Sequence, residues 1–178
     1  MPRYIAFLRA INVGGHTVKM EVLRQRFEAL GFSAVETFIA SGNMVFGATS
    51  ASARALEAKI ERGLREALGY EVAAFLRTDA ELTAIAAHRP FPPPALDGAA
   101  ALNVAFLKEA PETTSRRRLM ALRTAIDDFH VHGREVYWLC QKKQSESTFS
   151  NAVLEKTLGQ PSTLRGIATL KKMAAKCK

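Results

Sequence analysis

Two rhythms of apolar and polar residues run along this chain, and they come twice in the same order. Tyr4 to Arg9 is apolar at almost every position, which predicts a strand buried on both faces. From about Thr17, the positions Met20, Leu23, Phe27 and Leu30 fall on one side of a helix that Gly31 stops. Val35 to Ala40 and Met44 to Phe46 read as strands around Ser41-Gly42-Asn43, a turn of hairpin type. Ser52 caps a helix with Leu56, Ile60, Leu64 and Leu68 at helical spacing, ended by Gly69. Val72 to Leu76 is a fourth strand, and Asp79 caps a short helix that runs to about His88.

The second half repeats this. Tyr4-Ile5-Ala6-Phe7-Leu8-Arg9 returns 99 positions on as Asn103-Val104-Ala105-Phe106-Leu107-Lys108, and Phe38 to Phe46 matches Phe129 to Tyr137 at a spacing of 91. Leu64, Leu68 and Gly69 recur as Leu154, Leu158 and Gly159, and Leu76, Arg77, Leu82 and Ala86 recur as Leu164, Arg165, Leu170 and Ala174. A helix is expected over Ser115 to Ile126, a hairpin turning at Gly133, a helix capped by Ser147 or Ser150, a strand near Ser162 to Arg165 and a helix to the C-terminus. Self-similarity of this kind decides the architecture before any other feature. The expected fold is α/β (α+β), with two tandem ferredoxin-like β-α-β-β-α-β-α units related by internal duplication. The expected boundaries are residues 1–90 for the first unit, 91–100 for a Pro-rich linker around Phe91-Pro92-Pro93-Pro94, and 101–178 for the second unit.

With 48% apolar and 24% charged residues the chain has the composition of an ordered globular protein. It holds no run of 18 apolar residues and no signal-peptide layout, so a cytoplasmic protein without a membrane anchor is expected. Cys140 and Cys177 lack the spacing of a metal or redox pair and are expected to be free thiols. The net charge of +8 is uneven: residues 1–98 hold 11 Lys/Arg against 10 Asp/Glu, whereas residues 99–178 hold 14 against 7. Any contact with a polyanion is therefore expected in the second half.

The segments YIAFLRAINVGG, FIASGNMVF and SNAVLEKTLGQPSTLR resemble the bacterial family called domain of unknown function 1697, over nearly the whole chain. The resemblance implies a two-part α/β protein and brings no activity, substrate or cofactor. Where the family reads Arg-Asn-Trp-Asn-Thr, this chain has Arg165-Gly166-Ile167-Ala168-Thr169, and where it approaches the late helix through Gly-Arg-Ser-Lys, this chain has Ser145-Glu146-Ser147-Thr148.

Duplication separates structural from functional residues: one present in both copies is explained by the shared fold, and one present in a single copy needs its own reason. Asn12, Gly14, Gly15 and His16 have no counterpart. In the ferredoxin-like order the first strand-to-helix loop and the hairpin tip share one sheet edge, bringing Arg9, Asn12, Gly14, Gly15, His16 and Lys19 near Ser41 and Asn43. A glycine pair ahead of a helix exposes backbone N–H groups, so this edge is a candidate for a small ligand or a phosphate-type anion, with a plain tight turn as the alternative. Catalysis there would fall to His16 or Glu21. The basic residues Arg116, Arg117, Arg118, Lys142 and Lys143 suit a solvated face or, alternatively, weak nucleic-acid binding, and a non-catalytic interaction module is the third class. His130 and His132 share one strand face, but no Cys or carboxylate set accompanies them and Gly133 follows, so they read as a hairpin-flanking pair and no metal is assigned.

Overall fold

The computed structural model of the protein describes residues 2–9, 17–38, 42–49 and 52–177. Two compact units are present, Met1–Ala84 with Met173–Lys178 and Ile85–Lys172, and the divisions fall inside two helices.

In chain order the first elements are β1 (Arg3–Arg9), α1 (Met20–Ala29), β2 (Ser33–Thr37), β3 (Asn43–Gly47), α2 (Ala53–Leu68), β4 (Ala73–Thr78) and α3 (Asp79–Ala87). After α4 (Pro93–Asp97) come β5 (Ala101–Leu107), α5 (Thr113–Met120), β6 (Asp127–His132), β7 (Glu135–Cys140), α6 (Asn151–Leu158), β8 (Ser162–Gly166) and α7 (Ile167–Lys176). The two sheets have strand orders β2-β3-β1-β4 and β6-β7-β5-β8, every neighbour antiparallel. This is the split β-α-β order of the ferredoxin-like fold, made twice.

Each sheet packs one face on its helices. In the first unit Tyr4, Ala6, Leu8, Met44, Phe46 and Leu76 meet Leu23, Phe27, Ile60 and Leu64. In the second, Ala105, Leu107, Val136 and Trp138 meet Leu119, Leu154 and Leu158, with the Cys140 thiol buried among them. The opposite faces are buried too, through Ile5, Phe7 and Phe75 in one sheet and Val104, Phe106 and Tyr137 in the other. Strands buried on both faces carry the near-continuous apolar runs seen in β1 and β5.

The caps agree with the sequence in several places. The Ser52 and Ser150 side chains accept from the N–H groups of Ala55 and Val153, and Gly69 and Gly159 end their helices in the left-handed region. The segment SNAVLEKTLGQPSTLR proves to be structural wiring. Beyond the Ser150 cap, Asn151 donates to the Ser162 carbonyl at 2.9 Å and Glu155 accepts from the Ser162 N–H at 2.9 Å, which satisfies the backbone of the first residue of β8. Gln160 brackets Glu109 by accepting from its N–H and donating to its carbonyl. The first unit does the same job on β4, where Glu57 and Glu61, one turn apart on α2, accept from the N–H groups of Leu76 and Ala74. Unpaired edge N–H groups invite aggregation, and these carboxylates occupy them.

Three local expectations are corrected. The helix expected over Ser115–Ile126 ends at Met120, because the Thr124 hydroxyl accepts from the N–H groups of Ile126 and Asp127 and turns the chain into β6. Thr78, not Asp79, caps α3: its hydroxyl accepts from Glu81 N–H while the Glu81 carboxylate accepts from Thr78 N–H. The proline run carries a short helix, with Pro at its first positions, where no N–H is required.

The largest correction is one of register. Ile5 lies opposite Val45 and Val104 opposite Tyr137, so β3 maps onto β7 with a spacing of 92, one more than the letter matches suggest. A one-residue slip moves every side chain to the other face of a sheet, and Val136, the letter match of Val45, does point to the other face. Carrying the register across to the edge strands pairs Glu36 with Val45 and His130 with Tyr137. Phe38, whose N–H reaches the Asn43 carbonyl, then corresponds to His132, which lies opposite Glu135. Gly42 and Gly133 still turn equivalent hairpins, at φ 79° and 60°, where glycine is favoured.

Candidate metal centre

The face of the second sheet turned away from α5 and α6 carries rows of side chains set by strand pairing. One row is His130, Tyr137, Val104 and Arg165, and the next is His132, Glu135, Phe106 and Thr163. His130 and His132 rise from the edge strand β6, two residues apart and thus on one side. A third imidazole joins them. His88 follows the last turn of α3, and one ring nitrogen from each of His88, His130 and His132 lies within 4.8 Å of the others.

Packing holds the third ring in place. The buried Tyr137 hydroxyl donates to the Ile85 carbonyl at 3.1 Å, which ties the end of α3 to β7. The Tyr137 ring then lies 5.2 Å from His88, and Phe91 meets His130 edge-on. His88 stacks on His132 with centroids 4.2 Å apart and lies 5.5 Å from His130. His88 and His130 are half-buried and His132 is exposed, so the cluster opens to solvent on one side.

The electrostatics favour the neutral form of His88 and His130. Burial lowers the His88 pKa, helped by the charge of His132 and opposed by Glu135. Burial also lowers that of His130, helped by His88, His132 and Arg116 and opposed by Asp128. A neutral imidazole is the form that ligates metal. The Nε2 atom of His88 is buried and makes no hydrogen bond among the described residues, which is a cost unless something else takes its lone pair or proton. Tetrahedral zinc holds imidazole nitrogens about 3.3 Å apart, given Zn–N bonds of about 2.0–2.1 Å. The rings are stacked, so binding one ion would turn them out of that arrangement as it draws the nitrogens together. Three protein ligands leave the fourth position to water or substrate.

The other copy provides a control for this cluster. Its positions corresponding to His130 and His132 are Glu36 and Phe38, and the spacing of 88 that carries Arg77 to Arg165 carries His88 to Lys176. There Lys176 pairs with Glu36 at 3.5 Å and lies over the Phe38 ring at 5.3 Å. The same three positions converge in both units, as an ion pair on an aromatic ring in one and as three imidazoles in the other. The fold therefore does not require histidine at any of them.

Sequence reading placed His130 and His132 on one strand face but assigned them no metal, and it missed His88, which lies 42 residues before His130 with no spacing motif to connect them. Of the residues expected at the first-unit edge, Asn12, Gly14, Gly15, His16 and Ser41 lie outside the described residues. Arg9 ends β1, and Lys19 precedes the first turn of α1, exposed and without a side-chain capping bond. Asn43 is 1% exposed and its amide donates to the Phe38 carbonyl at 3.1 Å, so it braces the hairpin from inside. Arg116, Arg117 and Arg118 are exposed on α5, and Lys142 and Lys143 are exposed beyond β7. Among the described residues no helix is long and apolar enough to cross a membrane.

A family model described as "Protein of unknown function (DUF1697)" matches residues 1–137. Among solved structures, the conserved bacterial protein SP0830 from Streptococcus pneumoniae superposes with a TM-score of 0.77 at 24% identity, covering 99% of this chain and 98% of that one. At that identity the likeness speaks for the fold. No curated protein matches the chain.

Proposed function

The chain belongs to the DUF1697 family of proteins of unknown function, and from that premise we propose that its second unit binds one divalent transition metal through His88, His130 and His132. The observation that carries this is the convergence of three imidazoles at positions that the companion unit fills with Lys176, Glu36 and Phe38. Imidazole donors suit zinc, copper, iron and nickel, and three of them with an open side suit a site that polarises a bound water or an oxygen-bearing ligand. Glu135, opposite His132 on the same face, would supply a carboxylate for that water.

The test is equilibrium dialysis of the whole protein against zinc, cobalt and nickel after stripping with chelator. One metal per chain is expected, with loss of binding in His88→Ala, His130→Ala and His132→Ala. Full binding by all three variants would refute the proposal.

A second reading keeps a small oxyanion-bearing ligand at the first-unit edge. It rests on the shared edge, where Leu8 N–H donates to the Gly42 carbonyl at 2.9 Å beside Arg9, a bond that belongs to the fold because Leu107 and Arg134 repeat it in the second unit. Phosphate titration of Arg9→Ala tests it: weakened binding supports the reading and unchanged binding opposes it.

A further inference from the structure

We propose that the cavity beside His88 binds a small amphipathic anion, a single carboxylate or similar oxyanion on a short apolar chain. The cavity has a volume of about 280 Å³ and lies wholly within the second unit. That is just below the usual range of ligand pockets, about 300 to 1,000 Å³, and it suits a short chain rather than a dinucleotide. Leu96, Ala99, Ala101, Leu102, Leu139 and Ile167 give it an apolar lining. Among the described residues its charged members are Arg89 and Lys171, with no Asp or Glu in the lining. Both cations are exposed and, among the described residues, neither forms an ion pair. An apolar cleft bordered by two uncompensated cations is complementary to a molecule with an apolar body and one negative end. A neutral chain would leave the cations unused.

Leu102 and Leu139 belong to the sheet face that carries His130 and Tyr137, and His88 lines both the cavity and the imidazole cluster. A ligand against His88 therefore restricts a ring that the metal also needs fixed, and each should favour the other. The cavity does not rest on the metal proposal, since its lining and its cations are present without any ion.

Octanoate is the probe, titrated calorimetrically into the chelator-stripped protein and again into the zinc-treated protein. Saturable binding is expected in the stripped protein, weakened about tenfold or more in Arg89→Ala/Lys171→Ala and abolished in Ala100→Trp, which places an indole at an exposed lining position. 1-Octanol should bind at least about tenfold more weakly than octanoate. Equal binding of octanol and octanoate, binding untouched by Ala100→Trp, or no octanoate binding in either form would overturn the proposal. Octanoate binding without zinc binding would fail the metal reading alone, and zinc binding without octanoate binding would fail this one alone.

Discussion

If the two units are copies in the register given by their strands, the metal centre should be transferable. The perturbation is Glu36→His, Phe38→His and Lys176→His made together, which writes the second-unit triad onto the first. The cost follows from what is removed. The Lys176–Glu36 pair has both side chains about half exposed, at 47% and 49%, so it contributes only about 0.2–1 kcal/mol. The cation over Phe38 adds about 0.5–1 kcal/mol. The triple variant should therefore lose about 1–2 kcal/mol and stay folded. At a free metal concentration of 100 times its Kd, a new site returns about 2.7 kcal/mol. For a chain of this size that corresponds to a rise in melting temperature of about 5–10 °C. The assay is metal stoichiometry by equilibrium dialysis, paired with thermal melts with and without zinc. Stoichiometry should go from one to two. A folded variant that still binds a single zinc ion, with no added thermal response, would refute the positional equivalence of His88, His130 and His132 with Lys176, Glu36 and Phe38.

Acidification should destabilise the metal-free protein. His88 and His130 have folded-state pKa values lowered mainly by burial, so below about pH 6.5 the unfolded chain takes up protons that the folded chain resists. Stability should fall as pH drops through that value and level off below the folded pKa values; urea melts between pH 8 and 5 check this, and an identical slope in His88→Phe/His130→Phe would contradict it. Glu57→Ala leaves the buried Leu76 N–H without its carboxylate and should cost about 1–3 kcal/mol, whereas the exposed Glu66→Ala should stay within about 0.5 kcal/mol. Equal effects in denaturant melts would remove the edge-sealing role. Asn43→Ala should cost about 1–3 kcal/mol, because its buried amide holds Phe38; a variant as stable as the parent would show that the bond is dispensable.

Much of the fold was legible because its signals are local. Ser52 announces one helix start and Ser147 or Ser150 another, of which Ser150 is the cap; Gly69 and Gly159 announce helix ends, and the apolar run of β1 announces a strand covered on both sides. Signals that depend on a side chain reaching the backbone were harder to read. The Thr124 hydroxyl ended α5 six residues early, although Leu122 and Ile126 continue a plausible helical pattern. Register was hardest, since identical letters at Phe38 and Phe129 suggested an equivalence that strand pairing places at His132. The hairpins differ in length: Gly133 and Arg134 alone separate β6 from β7, while the first unit has a longer turn, so spacing counted through the loop drifts. That drift hid the contrast of Glu36 and Phe38 with the two histidines. Residues that differ between the copies mark the cluster only in the right register and together with the end of α3, which no periodicity connects to β6.

The most direct test of the metal centre is anomalous diffraction at the zinc edge from crystals of the zinc-treated protein. The account predicts one strong peak with nitrogens of His88, His130 and His132 about 2.0–2.1 Å away and a fourth, non-protein ligand on the open side. A peak bound by other residues with these three rings unliganded, or no peak from protein at saturating zinc, would contradict it.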